Sequence, residues 1–185
     1  IGQHYSGGPQ ILDGKVVVGM SGCYYINTGC WITAHEPETG EEIWRTNTVP
    51  KMGEPGGETW GDVPNEERRG GSAWMPSSYD PELDLIYVGV AVPIPWGEIQ
   101  RDTRGGDVLY TNSTLALDAN TGEIEWYFQY IPGGNWDLDH PFERIIVESE
   151  VIPDADSVDW MNPNIVSNES RKLITGVPGK TGIVW

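Results

Sequence analysis

Apolar residues fall along this chain in short runs, and nowhere do they hold a helical period. Ile11-Leu12 and Lys15-Val16-Val17-Val18 flank Asp13-Gly14, and two β-forming runs joined by Asp-Gly predict a hairpin. Runs rich in β-branched and aromatic residues recur at 31–34, 85–90, 113–117, 124–128 and 145–147. Glycine and proline, 24 and 14 in number, punctuate these runs at intervals of about ten residues. Such spacing predicts an all-β sandwich, barrel or propeller.

An internal repeat separates those options. Residues 34–44, Ala-His-Glu-Pro-Glu-Thr-Gly-Glu-Glu-Ile-Trp, match residues 116–126, Ala-Leu-Asp-Ala-Asn-Thr-Gly-Glu-Ile-Glu-Trp, at the Ala, Thr-Gly-Glu and Trp positions. The offset of 82 residues equals two units of 41, and blade-sized periods of about 40 to 45 residues belong to propellers. Residues 79–88, Tyr-Asp-Pro-Glu-Leu-Asp-Leu-Ile-Tyr-Val, then read as strand–turn–strand material of a degenerate intermediate blade. In each repeat the Thr-Gly turn joins two strands, and the Trp that follows is placed to cover the neighbouring blade. Three to four blades leave open edges, so residues 1–185 are expected to be part of one propeller domain completed by further sequence or a partner chain.

Charge narrows the partners. With 28 acidic against 11 basic side chains the formal charge is −17, which argues against nucleic acid and anionic membrane surfaces. No run approaches the ~18 apolar residues of a membrane span, and no signal peptide is visible. Cys23 and Cys30 are not in a Cys-x-x-Cys spacing, and His4, His35 and His140 are scattered, so zinc-ligand spacing is absent. The two cysteines either close a short loop as a disulfide, which suits an oxidising compartment, or are free buried thiols.

The two Thr-Gly-x-x-x-Trp segments resemble the tryptophan-docking motifs of the pyrroloquinoline quinone (PQQ) dehydrogenases, the eight-bladed quinoprotein alcohol and glucose dehydrogenases. Gly19-Met20-Ser21-Gly22, Ser72-Ala73-Trp74, Pro95-Trp96, Gly106-Asp107, Asn135-Trp136-Asp137 and Gly179-Lys180-Thr181-Gly182 agree in the same order, from about Ser6 to Trp185. The resemblance implies an eight-bladed β-propeller of which this chain makes about three to four blades. It implies a PQQ at the propeller axis, stacked on an indole at Trp74. The family's adjacent-cysteine disulfide is expected upstream and is not represented by Cys23 and Cys30. Ser6 and Ser72 match hydroxyls that bind the cofactor's carboxylates, and Ser21, Gly22 and Cys23 match the strand end beside them. Asp137 matches the catalytic base that takes the alcohol's proton while hydride passes to the quinone C5. Lys180 matches a basic residue beside the quinone oxygens, where a cation stabilises developing negative charge.

Departures from the family pattern bear on the metal. Tyr24 and Val92 stand where the alcohol branch has its Glu and Asn ligands, and neither supplies a carboxylate or amide for a hard cation. The resemblance therefore implies a divalent cation, Ca²⁺ with Mg²⁺ or a lanthanide as alternatives, held by Asp137, Asp139 and the loop amide of Asn27. The reading that follows is a periplasmic dehydrogenase of alcohols, polyols or sugars that passes electrons to a cytochrome c or a membrane quinone. Two other readings stand beside it: a non-catalytic scaffold with a decayed cofactor site, and a carbohydrate-binding or hydrolysing β-protein. Segments 53–69, 93–106 and 151–170 read as insertions that build pocket walls.

Overall fold

A computed structural model describes residues 4–24, 29–152, 154, 156–157 and 159–185 of the chain. Strands β1 (Gln10–Leu12), β2 (Lys15–Gly19), β3 (Trp31–His35) and β4 (Glu42–Asn47) form one antiparallel four-stranded sheet in chain order. The short strand β5 (Arg69–Gly70) follows. A second sheet is built from β6 (Ser78–Asp80), β7 (Leu85–Gly89), β9 (Ser113–Asp118) and β10 (Ile124–Gln129), again side by side in chain order. Between β7 and β9 the chain makes an excursion through β8 (Pro93–Ile94), which pairs with β5, and a single helical turn, α1 (Glu98–Arg101). The last described pair is β11 (Ile145–Glu150) with β12 (Ser170–Thr175).

The two four-stranded sheets share one core, and strands β3, β7 and β9 are buried on both faces. Val17, Ile32, Ala34, Ile86, Val88, Leu115 and Leu117 belong to a single cluster, while Thr33 and Ala116, which point the other way, are also buried. Asp13 and Gly14 both have positive φ, as the Asp-Gly hairpin between β1 and β2 requires.

The repeated motif has a physical basis at its register. Ala34 faces Trp44, and Ala116 faces Trp126; in each sheet the pairing slips by one residue just before the Trp. A small residue opposes the indole across a bulge in both copies. Trp44 is buried, its Nε1 donates to the Ala119 carbonyl at 3.1 Å, and its ring lies on Gly122 of the second motif. A Cβ on Gly122 would come 2.6 Å from Trp44 Cε3, which is why glycine stands there. One blade thus docks on the turn of the next.

That contact corrects the spacing argument. The motif copies sit on consecutive blades, and residues 79–88 belong to the second blade as β6 and β7 rather than to an intermediate one. The offset of 82 residues is one blade plus long connections, residues 48–77 and the excursion at 90–112. The described residues hold two complete blades and one further hairpin, fewer than the three to four expected.

Candidate functional site

Several of the predicted site residues are joined by backbone hydrogen bonds between connecting segments. Ser21 N–H and C=O pair with His4 at the end of β2. Next along the chain, the Cys23 carbonyl accepts from Gly70 N–H, and Cys30 N–H donates to the Gly70 carbonyl, both at 3.1 Å. Cys23 and Cys30 are joined as a disulfide with Cα atoms 5.6 Å apart, which settles the choice the spacing left open. Both are fully buried, and Cys30 Sγ lies 3.5 Å from the hydroxyl of Ser72, itself buried.

From Ser72 the contacts run on to the carboxylates. Ala91 N–H donates to the Ser72 carbonyl at 2.9 Å, and Val92 N–H donates to Asp139 Oδ1 at 3.2 Å. Asp139 is buried and Asp137 is exposed, yet one ammonium serves both. Lys180 Nζ lies 2.7 Å from Asp139 Oδ2 and 3.0 Å from Asp137 Oδ1. The backbone fixes this geometry as well, because Lys180 N–H donates to the Asp139 carbonyl at 3.0 Å. Gly179 makes that approach possible; a Cβ there would sit 2.4 Å from His140 Cδ2 and 2.5 Å from the Asp139 oxygen.

Electrostatics bring Tyr24 into the same cluster. Burial raises its phenol pKa, the Asp139 and Asp137 charges raise it further, and the Lys180 charge opposes them. For Lys180, burial favours the neutral amine, but its hydrogen bonds and charge interactions with Asp139 and Asp137 prevail and hold the pKa above its ordinary value. The ammonium therefore stays charged throughout the neutral range.

Trp74 is half-buried and meets Phe142 edge to face at 5.8 Å. Phe142 N–H in turn donates to the Pro178 carbonyl at 3.2 Å, so the indole is tied to the loop after β12 that carries Lys180. Ser6 is exposed, two residues past the His4–Ser21 bridge. Asn27 lies outside the described residues. Phe142 and the Val92 amide went unnoticed in the sequence, since neither residue type signals chemistry.

The donor set distinguishes the two groups expected here. A planar, anionic quinone suits a half-exposed indole, buried serine hydroxyls and a fixed ammonium, all of which are present. A hard divalent cation takes six to eight oxygens. The cluster offers two carboxylates that already share Lys180, and among the described residues no group of three His, Cys, Asp or Glu side chains could hold a metal ion. These residues do not by themselves make a seat for that cation.

Comparison with known proteins identifies the family. The sequence model of the PQQ β-propeller domain of glucose, ethanol and alcohol dehydrogenases matches residues 3–156. The quinohemoprotein alcohol dehydrogenase ADH-IIG of Pseudomonas putida is 39% identical over 153 residues, covering 77% of this chain and 21% of that protein. The quinoprotein alcohol dehydrogenase PedH of Pseudomonas putida is 36% identical over 209 aligned positions, covering 100% of this chain and 34% of that protein. The solved structure of ADH-IIG superposes with a TM-score of 0.79 and 33% identity over 95% of this chain and 25% of its own. The chain thus spans between a fifth and a third of the length of these curated relatives.

Proposed function

This chain belongs to the PQQ-dependent glucose, ethanol and alcohol dehydrogenase β-propeller family, and on that premise we propose that it forms the cofactor-facing part of an enzyme that oxidises an alcohol or sugar hydroxyl. The observation that carries this reading is the sharing of Lys180 between Asp137 and Asp139, on loops linked to Ser72 through Ala91 and Val92. When bound, PQQ supplies an electrophilic quinone carbonyl that accepts hydride.

Asp137 is the carboxylate open to a substrate, and as general base it takes the hydroxyl proton as the C–H bond yields its hydride. Asp139 is the positioning residue: buried, and bonded to Val92 N–H and Lys180, it holds the ammonium in place. Lys180 would hold its fixed positive charge toward the quinone oxygens of a bound cofactor, where it would stabilise negative charge. Ser72, Ser21, Gly22, Cys23 and Ser6 would line the cofactor's carboxylate end and Trp74 its face.

A periplasmic setting and transfer of electrons to a cytochrome c or membrane quinone belong to the same proposal, and the buried disulfide suits an oxidising compartment. The test is dye-linked turnover of the full-length protein loaded with PQQ, alongside Asp137→Asn. Loss of about 10²-fold or more in kcat with PQQ binding retained is expected of a general base. Unchanged turnover in Asp137→Asn would overturn the assignment.

A further inference from the structure

The loops at 53–69 and 93–106 meet over a cavity of about 210 Å³ to which Trp60, Arg69, Ile94, Pro95, Gln100 and Arg101 contribute. Two of these are arginines that form no salt bridge among the described residues. Arg101 is 5% exposed, and its guanidinium reaches only main-chain carbonyls: Pro95 at 2.7 Å, Trp96, and Gly133 at 3.3 Å. Its Nε is buried without a hydrogen-bond partner, and so is Nε of Arg69. Among the described residues neither arginine makes an ion pair. Glu67 also reaches the cavity but is exposed and bonds to neither. Burial lowers the Arg101 pKa, opposed only by the charge of Glu98.

In a chain with 28 acidic and 11 basic residues, a buried arginine without a carboxylate is not explained by a shortage of anions. Buried charges are normally paired, and a guanidinium fork is shaped for a carboxylate. The cavity also lies beside the site. Arg69 pairs with Ile94 in the β5–β8 ladder, and the ladder continues through Gly71 N–H on the Val92 carbonyl, at the residue whose N–H holds Asp139. Val92 to Ile94 is two residues of extended chain, or about 7 Å.

We propose that this cavity binds the carboxylate of the substrate, so that the protein favours alcohols bearing an acid group several carbons from the hydroxyl over neutral alcohols. The proposal rests on the dehydrogenase reading for the hydroxyl end, while the carboxylate end stands on Arg69 and Arg101 alone.

Two measurements on the full-length protein separate those supports. Titration calorimetry with hexanoate, which carries no hydroxyl, needs neither PQQ nor turnover. Binding to the wild type, retained in Arg69→Lys and weakened about ten-fold in Arg69→Gln, is expected for one charge-assisted hydrogen bond. With PQQ bound, the ratio of kcat/KM for 6-hydroxyhexanoate to that for 1-hexanol should exceed one and fall about ten-fold in Arg69→Gln. Arg101 is left intact because it anchors the loop. Failure of hexanoate to bind, or equal binding by Arg69→Gln, overturns the proposal. Turnover of neither alcohol, with hexanoate still bound through Arg69, overturns the dehydrogenase reading and leaves only the carboxylate site.

Discussion

Replacing Trp44 by phenylalanine tests whether blade docking stabilises the fold as its geometry implies. The indole Nε1 donates to the carbonyl of Ala119, which is fully buried, so the variant leaves that oxygen without its donor. An orphaned buried acceptor costs roughly 1 to 3 kcal/mol. Loss of the larger ring uncovers about 40 Å² of apolar contact, or ~1 kcal/mol. The expected loss is therefore about 2 to 4 kcal/mol, read as a lower urea midpoint at unchanged slope. Gly122→Ala attacks the same contact from the other side. Its φ is +73° and its added Cβ would meet Trp44 Cε3 at 2.6 Å, so left-handed strain and overpacking together give ~2 kcal/mol or more. The smaller phenylalanine relieves that clash, and the double variant should lose less than the sum of the two single losses. A Trp44→Phe loss below about 0.5 kcal/mol, or strict additivity with Gly122→Ala, would refute the docking argument.

Two further outcomes follow from the same contacts. Breaking the Cys23–Cys30 disulfide by Cys23→Ser with Cys30→Ser removes a constraint on a loop with a sequence separation of 7, worth about 2.5 kcal/mol in the chain-entropy account, measured as a lower denaturation midpoint. The Tyr79 hydroxyl donates to Asp84 Oδ1 at 2.8 Å, and that bond, with burial and the Asp84 charge, pushes its pKa up to about 12. Because the folded value lies above the unfolded one, the contribution to stability is complete below pH ~10 and disappears as the pH rises through 12. Ultraviolet titration should show one phenol ionising last, and Tyr79→Phe should remove that step.

The blade motif was legible because its parts are local. Thr-Gly makes the turn, the Trp docks two residues into the next strand, and the Ala is small because it faces that Trp across a bulge. The number of blades was not legible, since an offset of 82 residues can hold two short units or one unit with long connections, and periodicity does not record loop length. Asp137, Asp139 and Lys180 were marked by resemblance, but the sharing of one ammonium by two carboxylates depends on Gly179 admitting the Asp139 backbone. Arg69 and Arg101 carried no signal, because an arginine in a loop is ordinarily solvated and only packing between two insertions buries it.

Those two loops and the carboxylate cluster together give the site a direction. At one end Asp137 and Asp139 outnumber Lys180, so that end carries a net negative charge. At the other, beyond Ile94 of the β5–β8 ladder, Arg69 and Arg101 face a cavity and form no salt bridge among the described residues. A neutral alcohol meets no preference between the ends. An alcohol that carries an acid group does: its carboxylate would be repelled by the aspartates and drawn to the arginines, which would leave its hydroxyl toward Asp137, the proposed general base. Charge would then orient the substrate before any contact forms at the reacting carbon, and the orientation would weaken with added salt wherever the path between the two ends is open to solvent.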